Sequence, residues 1–394
     1  MNSALSSVAS EHLEKSASEE PDVVPDSGFS ARLVAEADDA LALLMELSRL
    51  NHGVTWEHAS IRALLAKALD DLDRRINDQL NTILHHPELK ALEASWRGVW
   101  LLTEQAAHED GEGQVRVKIL DQSWRELSRD LARAIEFDQS WMFSHIYSEE
   151  FGSPGGEPFG LLLGAYSVSH RMPGGQSNLD TLQELTKVAA AAFAPLILDA
   201  APSLFGVDQF AELASVTDLE NHFNQPELTK WRSLRQTEDA RFLGLAMPRM
   251  LMRQPYADAG WGPEGFRFHE SRSNSETDYL WGNACFAVGT VAIRAFCQSG
   301  WFAQIRGYRE GRIAHGTVDN MPAIQALSSA GRLFPTRSPV EWQVSDRMER
   351  VLSEEGFIPL MPLANTEMLV LHSVPSVQEP AQYDSGEAQV SARL

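Results

Sequence analysis

Apolar residues recur at three- and four-residue steps between positions 61 and 84. Ile61, Leu64, Leu65, Ala68, Leu69, Leu72, Ile76, Leu80, Ile83 and Leu84 fall on one stripe of a helix, with Asp70, Asp71, Asp73, Arg74 and Asp78 on its solvated face. Pro87 suits the first turn of a second helix with the stripe Leu89, Leu92, Trp96, Val99 and Thr103, so two helices are predicted to join at the His85-His86-Pro87 corner. After Gly111-Glu112-Gly113 the period changes to two. Val115, Val117 and Ile119 predict a half-buried strand, and Trp124, Leu127, Leu131 and Ile135 the helix that follows it.

The same alternation of strand and helix continues along the chain. A strand is expected over 159–168, a helix over 179–192, and a strand covered on both faces in the unbroken apolar run 195–201. Further on come a helix over 231–240, an apolar stretch over 242–247, a long helix from Tyr279, a helix over 339–355 and a strand over 367–372. The class is mixed α+β, with a helical N-terminal region followed by an α/β body whose helices shield sheets. The organisation expected is a flexible acidic arm over 1–28, a helical region over 29–110, the mixed body over 111–373 and a polar tail over 374–394. Within the arm, the short amphipathic piece around Val8 and Leu13 is a candidate for binding a partner.

Charge narrows the function classes. Lys and Arg number 33 against 55 Asp and Glu, a net charge of −22 over 394 residues that repels nucleic-acid phosphate and anionic lipid. Two cysteines, Cys285 and Cys297, are too few for a disulfide scaffold and read as small core residues of a protein kept in a reducing compartment. No basic region followed by an apolar stretch opens the chain, so no signal peptide is expected. The apolar segment 279–297 contains Asn283, two glycines and Arg294, which favours a buried helix over a membrane span.

Motifs that carry chemistry are missing from the sequence. No Walker A string, G-x-G-x-x-G fingerprint, H-E-x-x-H pair or G-x-S-x-G elbow occurs, so neither cofactor nor metal is expected and no catalytic residue is assigned. His85 and His86 suit a helix end better than a metal, and the acid pairs 149–150 and 354–355 suit solvent. A hydrolase hidden in the body would reveal itself as a pocket holding two or more titratable groups with displaced pKa values.

What the sequence does carry is a set of islands in which aromatic residues and arginines stand beside glycine and proline. They are Trp96-Arg97-Gly98, Pro248-Arg249, Pro255-Tyr256, Trp281-Gly282-Asn283 and Gly300-Trp301. A large ring needs a close backbone neighbour and a guanidinium needs a fixed acceptor, so each island reads first as tight packing.

Taken in order, these islands resemble the large sheath subunit of the type VI secretion system, the TssC or VipB family. The longer matching strings are LNTILHHPELKALEASWRG over 80–98, FGLLLGAY over 159–166, APLILDAAPSLFG over 194–206, WRSLRQTEDARFLGLAMPRMLMR over 231–253 and YLWGNA over 279–284. The resemblance implies a phage-tail-sheath-like fold without enzymatic activity, acting in the bacterial cytoplasm. It implies pairing with a small sheath subunit of the TssB or VipA kind and stacking with other sheath subunits into a contractile cylinder around a tube of Hcp rings. Contacts with the baseplate, and recycling by an AAA+ ATPase that reads an N-terminal helix, belong to the same expectation. The arm around Val8 and Leu13 departs from the acidic, leucine-rich form of that helix. The family also continues past the region resembled by 383–394, which leaves three readings open: a fragment, a naturally short paralogue, or an outlier that polymerises differently. An accessory factor that caps or regulates sheath growth without entering the cylinder is the alternative role.

Overall fold

The computed structural model describes residues 58–380, apart from 112, 171–177, 217–218, 257–258, 261–265, 271–278, 309–314, 328–332 and 364–365. Val8 and Leu13, the rest of the arm and residues 381–394 lie outside the described residues. The chain divides into two units, Met1–Ile76 and Asn77–Leu394.

Helix α1, His58–Leu84, is where the apolar period places it. In the first unit its Arg74 guanidinium pairs with Asp70 and Asp71 one turn back, while Leu65, Leu69 and Leu72 of the apolar stripe are exposed. In the second unit, α2 spans Pro87–Glu109, with Pro87 in its first turn and His86 extended before it, as the sequence predicts. The face it buries differs from the prediction. Ala94, Gly98 and Leu102 are buried, whereas Leu92, Trp96 and Trp100 are exposed. Small residues win the inner face because α2 lies close against a second helix.

The strand predicted around Val115, Val117 and Ile119 does not form. Residues 114–123 have neither helix, turn nor bend, and no strand among the described residues pairs with them. The helix after it does form: α3, Trp124–Arg133, starts at a capping box of Ser123 and Glu126 and buries Leu127 and Leu131.

The centre is a six-stranded sheet in the order β1-β2-β3-β11-β12-β8. Strands β1 (Leu162–Val168), β2 (Leu196–Ala200) and β3 (Leu243–Met247) run parallel, with β4 (Met250–Arg253) following β3. Short strands β5 (Ala259–Gly260) and β6 (Arg267–Phe268) pair together, and β7 (Leu280–Gly282) pairs with β4. After β8 (Thr317–Val318), the antiparallel hairpin β9 (Ile324–Leu327) and β10 (Leu333–Ser338) precedes β11 (Phe357–Pro362) and β12 (Leu369–Leu371). Strand β11 is parallel to β3 and antiparallel to β12, so the sheet changes sense at β11. The long helix expected from Tyr279 instead begins as β7 and becomes helical only at Cys285.

Each inner strand alternates between two cores. Leu196 and Leu198 of β2, Leu243 and Leu245 of β3 and Phe357 of β11 face one core with Trp231, Phe205 and Leu182. Ile197, Ala246, Ile358 and Leu360 face the other. The first core is covered by α4 (Asn178–Ala191), α5 (Thr229–Arg235) and α3. The second is covered by α6, Cys285–Ser299, on which α2 lies as a further layer. Helix α7, Asp346–Glu354, is capped by the Ser345 side chain and leads into β11.

Close approach of α2 and α6 depends on Gly98: a methyl group there would sit 2.2 Å from the Phe286 ring. At the far end of α6, Gly300 takes φ +77 and ends the helix in the left-handed conformation. The segment after β12 is held by Arg235, which donates to the Val377 carbonyl at 3.1 Å and the Glu354 carbonyl at 3.0 Å and pairs with Glu355. Val377 N–H bonds the Leu243 carbonyl at 2.8 Å, tying this segment to β3.

Gly98→Ala is expected to lower stability by ~1–3 kcal/mol despite the better helix propensity of alanine, because the aromatic ring cannot yield within a filled core. Urea unfolding measures it, and adding Phe286→Leu should restore part of the loss. An unchanged midpoint for the single variant would contradict the packing account.

Candidate functional site

Two of the sequence islands meet at one knot of charges. Arg253, at the end of β4, is 7% exposed. Its Nε donates to Glu93 Oε1 at 2.7 Å, and another guanidinium nitrogen to Glu270 Oε2 at 2.6 Å. Its plane lies 4.3 Å from the centre of the Tyr256 ring. Arg97 bonds the same Glu93 at 2.8 Å and donates to the Tyr256 hydroxyl at 3.2 Å. Glu270, 2% exposed, also accepts the Tyr256 N–H at 2.9 Å and lies 3.1 Å from His85 Nε2. Asn77 and Asn81, at the end of α1, hold the neighbouring backbone of His269 through its N–H and its carbonyl.

Burial alone would raise the Glu93 carboxyl, but hydrogen bonds from Arg253 and Arg97 and their charges hold it below the ordinary carboxylate value. Glu270 behaves in the same way. Burial opposes its charge, and Arg253, the Tyr256 N–H and His85 outweigh burial. The Arg253 guanidinium is likewise penalised by burial, yet raised by its two carboxylates. This knot fastens α2 to β4 and to the segment after β6. Its charges neutralise one another and its acceptors are occupied, which suits a rigid joint.

A second unusual group is Asp199, inside the apolar strand β2. Helix α6 has Ala284 at its N-cap, with no side chain to bond the first turn. Asp199 takes that part from the face of β2 that α6 covers, accepting the Cys285 N–H at 2.8 Å, while its Oδ2 has no hydrogen-bond partner among the described residues. Burial pushes the carboxyl up to about 7, against the Cys285 and Ala284 amides, the Asn283 side chain and the charge of Arg249. Burial and the nearby Asp199 charge also push the Cys285 thiol well up, and its sulfur lies 3.6 Å from the Gly164 carbonyl. A thiol so raised stays protonated and is a poor nucleophile. The two adjacent groups therefore form a helix cap and its neighbour.

The remaining island residues are placed as follows. Pro248 follows a cis peptide bond from Met247. Arg249 makes a two-pronged ion pair with the buried Glu341. Pro255 is half-buried beside the knot. Trp281 packs at an angle on Tyr279, and Gly282 is buried against Met252. Asn283 lies by Asp199, Gly300 ends α6, and Trp301 and Trp96 are exposed. Arg97 and Tyr256 are thus joined, Asn283 and Arg249 act on Asp199, and the exposed tryptophans belong to neither group. Arg253, Glu93, Glu270 and Asp199 were not singled out from the sequence, and His85, read there as a helix-end residue, also reaches Glu270. Among the described residues no group of three His, Cys, Asp or Glu side chains is placed to hold a metal, and no helix is long and apolar enough to cross a membrane.

Arg253→Ala should destabilise by about 3–5 kcal/mol, since it takes the shared cation from the buried Glu270 and the half-buried Glu93. Both carboxyls have folded pKa values below the unfolded one, so their contribution is present above about pH 4.5 and is lost as pH falls through the folded values. Acid unfolding of the wild type should therefore be steeper than that of the Glu93→Gln, Glu270→Gln double variant. Asp199 has the opposite sign. Its folded value of about 7 lies above the ordinary 3.8, so stability falls as pH rises between them, by up to ~4 kcal/mol. Asp199→Asn should flatten this slope in thermal melts from pH 4 to 8, whatever its absolute stability.

Residues 66–378 match the VipB family, described as EvpB/VC_A0108, tail sheath N-terminal domain. The chain is 35% identical over 338 residues to the type VI secretion system sheath protein TssC1 of Pseudomonas aeruginosa, a match covering 85% of this chain and 65% of that protein. It therefore spans just under two thirds of that relative's length. With the family match covering most of its residues, the chain belongs to the VipB/TssC family of tail sheath proteins.

Proposed function

We propose that this chain is a structural component of a type VI secretion contractile sheath, pairing with a small sheath subunit to build the cylinder around the Hcp tube. The family match over 66–378 carries the reading. The physical character of the body agrees with it. Two filled cores flank one sheet, an ion-paired joint locks α2 to β4, and the most displaced ionisable groups serve as a helix cap. A contracting lattice moves rigid bodies between two packings, and bodies filled in this way transmit strain without yielding. Such a part works from the cytoplasm through its surfaces, alongside other sheath subunits, the baseplate and a recycling ATPase. Its role is mechanical, with no cofactor.

Co-expression with the cognate small sheath subunit should give a complex that elutes as one species by size exclusion at micromolar concentration. Separate elution of the two proteins would refute the reading for this chain.

A further inference from the structure

The turn that ends α4 is closed by an unusual residue. The Ala194 N–H bonds the Ala189 carbonyl at 3.1 Å and the Phe193 N–H bonds the Ala190 carbonyl at 3.2 Å, the pair of bonds that ends a helix on a left-handed residue. Phe193 is that residue, with φ +52. Glycine takes this conformation freely, whereas a residue with a Cβ is strained in it. The ring gains little in return: it is 74% exposed and meets Phe242 edge-on, with centroids 5.9 Å apart. Ile135, two positions before Phe137, is 88% exposed. These are the two largest exposures of big apolar side chains among the described residues. A bulky ring held out to water on a strained backbone points to contact with something outside the chain.

Phe193 stands at a cleft of about 490 Å³ that Phe137, Phe242, Lys187, Asp239 and Arg241 also line. Its charges are not all matched. Lys187 pairs with Glu184 at 2.8 Å, but the Arg241 guanidinium makes no hydrogen bond or ion pair among the described residues, and its Nε is buried without a partner. It lies 5.4 Å from the Phe242 ring centre, which leaves its N–H groups unbonded. A partly desolvated cation with no anion beside it favours a carboxylate entering the cleft. The Asp239 carboxylate, also without a bond or ion pair among the described residues, disfavours a second acid there and suits an N–H donor. We propose that this cleft is a docking site for a peptide segment of another protein in which an acidic residue adjoins an aromatic one. The acid meets Arg241, a backbone N–H meets Asp239, and the ring packs among Phe137, Phe193 and Phe242. The proposal goes beyond the sheath reading and does not depend on it.

Saturation-transfer NMR on the full chain tests it, with the capped tetrapeptide Ala-Glu-Phe-Ala as probe. The wild type should transfer saturation to the peptide ring, and Phe193→Gly and Arg241→Gln should each weaken binding roughly fivefold or more. Replacing the acid of the peptide by lysine should do the same. Phe193→Gly should also melt no lower than the wild type, because glycine relieves the strained turn, and this separates lost docking from lost folding. No transfer to the wild type, transfer that survives both substitutions, or equal binding of the lysine peptide would overturn the proposal. So would a clearly lower melting temperature for Phe193→Gly, which would make the ring a part of the core. Self-association of the chain in sedimentation that Phe193→Gly abolishes would identify a second copy as the occupant and overturn it as well.

Discussion

Helix α6 sets the terms for the rest of the body, because it is buried on every side. All residues from Cys285 to Ala292, with Arg294 and Ala295, are buried. A helix apolar all round needs a partner surface in each direction. The sheet provides one, through Ile197, Ala246 and Ile358, and α2 provides the other. Both approaches are close enough to need glycine: a methyl at Gly289 would lie 2.4 Å from Leu163 and 2.8 Å from Leu102, and Gly98 leaves room for Phe286. The polar groups that such a helix takes inside must then be satisfied locally. Arg294 donates to the Thr317 carbonyl on β8 at 2.6 Å, and Asp199 takes the open N–H at the first turn.

How much of this was legible follows from what sequence patterns measure. Strand β2 was readable because its residues are apolar apart from Asp199, the pattern of a strand covered on both faces, whereas β3 stood out only as a short apolar stretch. Strand β11 was missed although it lies inside the same sheet. Pro359 and Pro362 argue against a central strand, since each removes a ladder donor. The inner face of α2 was read from its largest apolar residues, whereas close helix packing selects the smallest ones, Ala94 and Gly98. Hydrophobic period reveals that a helix is present. It does not reveal which face the neighbour will fit.

The charged knot shows a different limit. Arg97 and Tyr256 stood out through their neighbours, but Glu93 and Glu270 looked like two more acids in a chain rich in them. Their common partner Arg253 is 160 positions from Glu93, a separation across which local pattern carries no information. Asp199 did leave a signal: a single carboxylate in the apolar run LILDA has to be paid for by a specific bond. That bond came from a helix start far along the chain, which only the fold could supply.

The interior and the surface of the second unit are satisfied to different degrees, and this difference bears on the assembly reading. Inside, buried arginines such as Arg235 and Arg253 meet carboxylates or carbonyls, and aromatic rings such as Trp231 and Phe357 stack at 5.6 Å. Outside, α2 shows Leu92, Trp96 and Trp100 at four-residue spacing, and the peptide groups of 116–121 find no partner among the described residues. Exposed rings in a line along a helix mark an interaction face more often than scattered apolar residues do. A net charge of −22 keeps copies apart through long-range repulsion. Under the proposed sheath role, association comes from short-range matches of apolar area, which form only when the partner's shape and charge pattern fit. That combination of mutual repulsion and local complementarity suits a subunit that stays dispersed until the correct partner orders it.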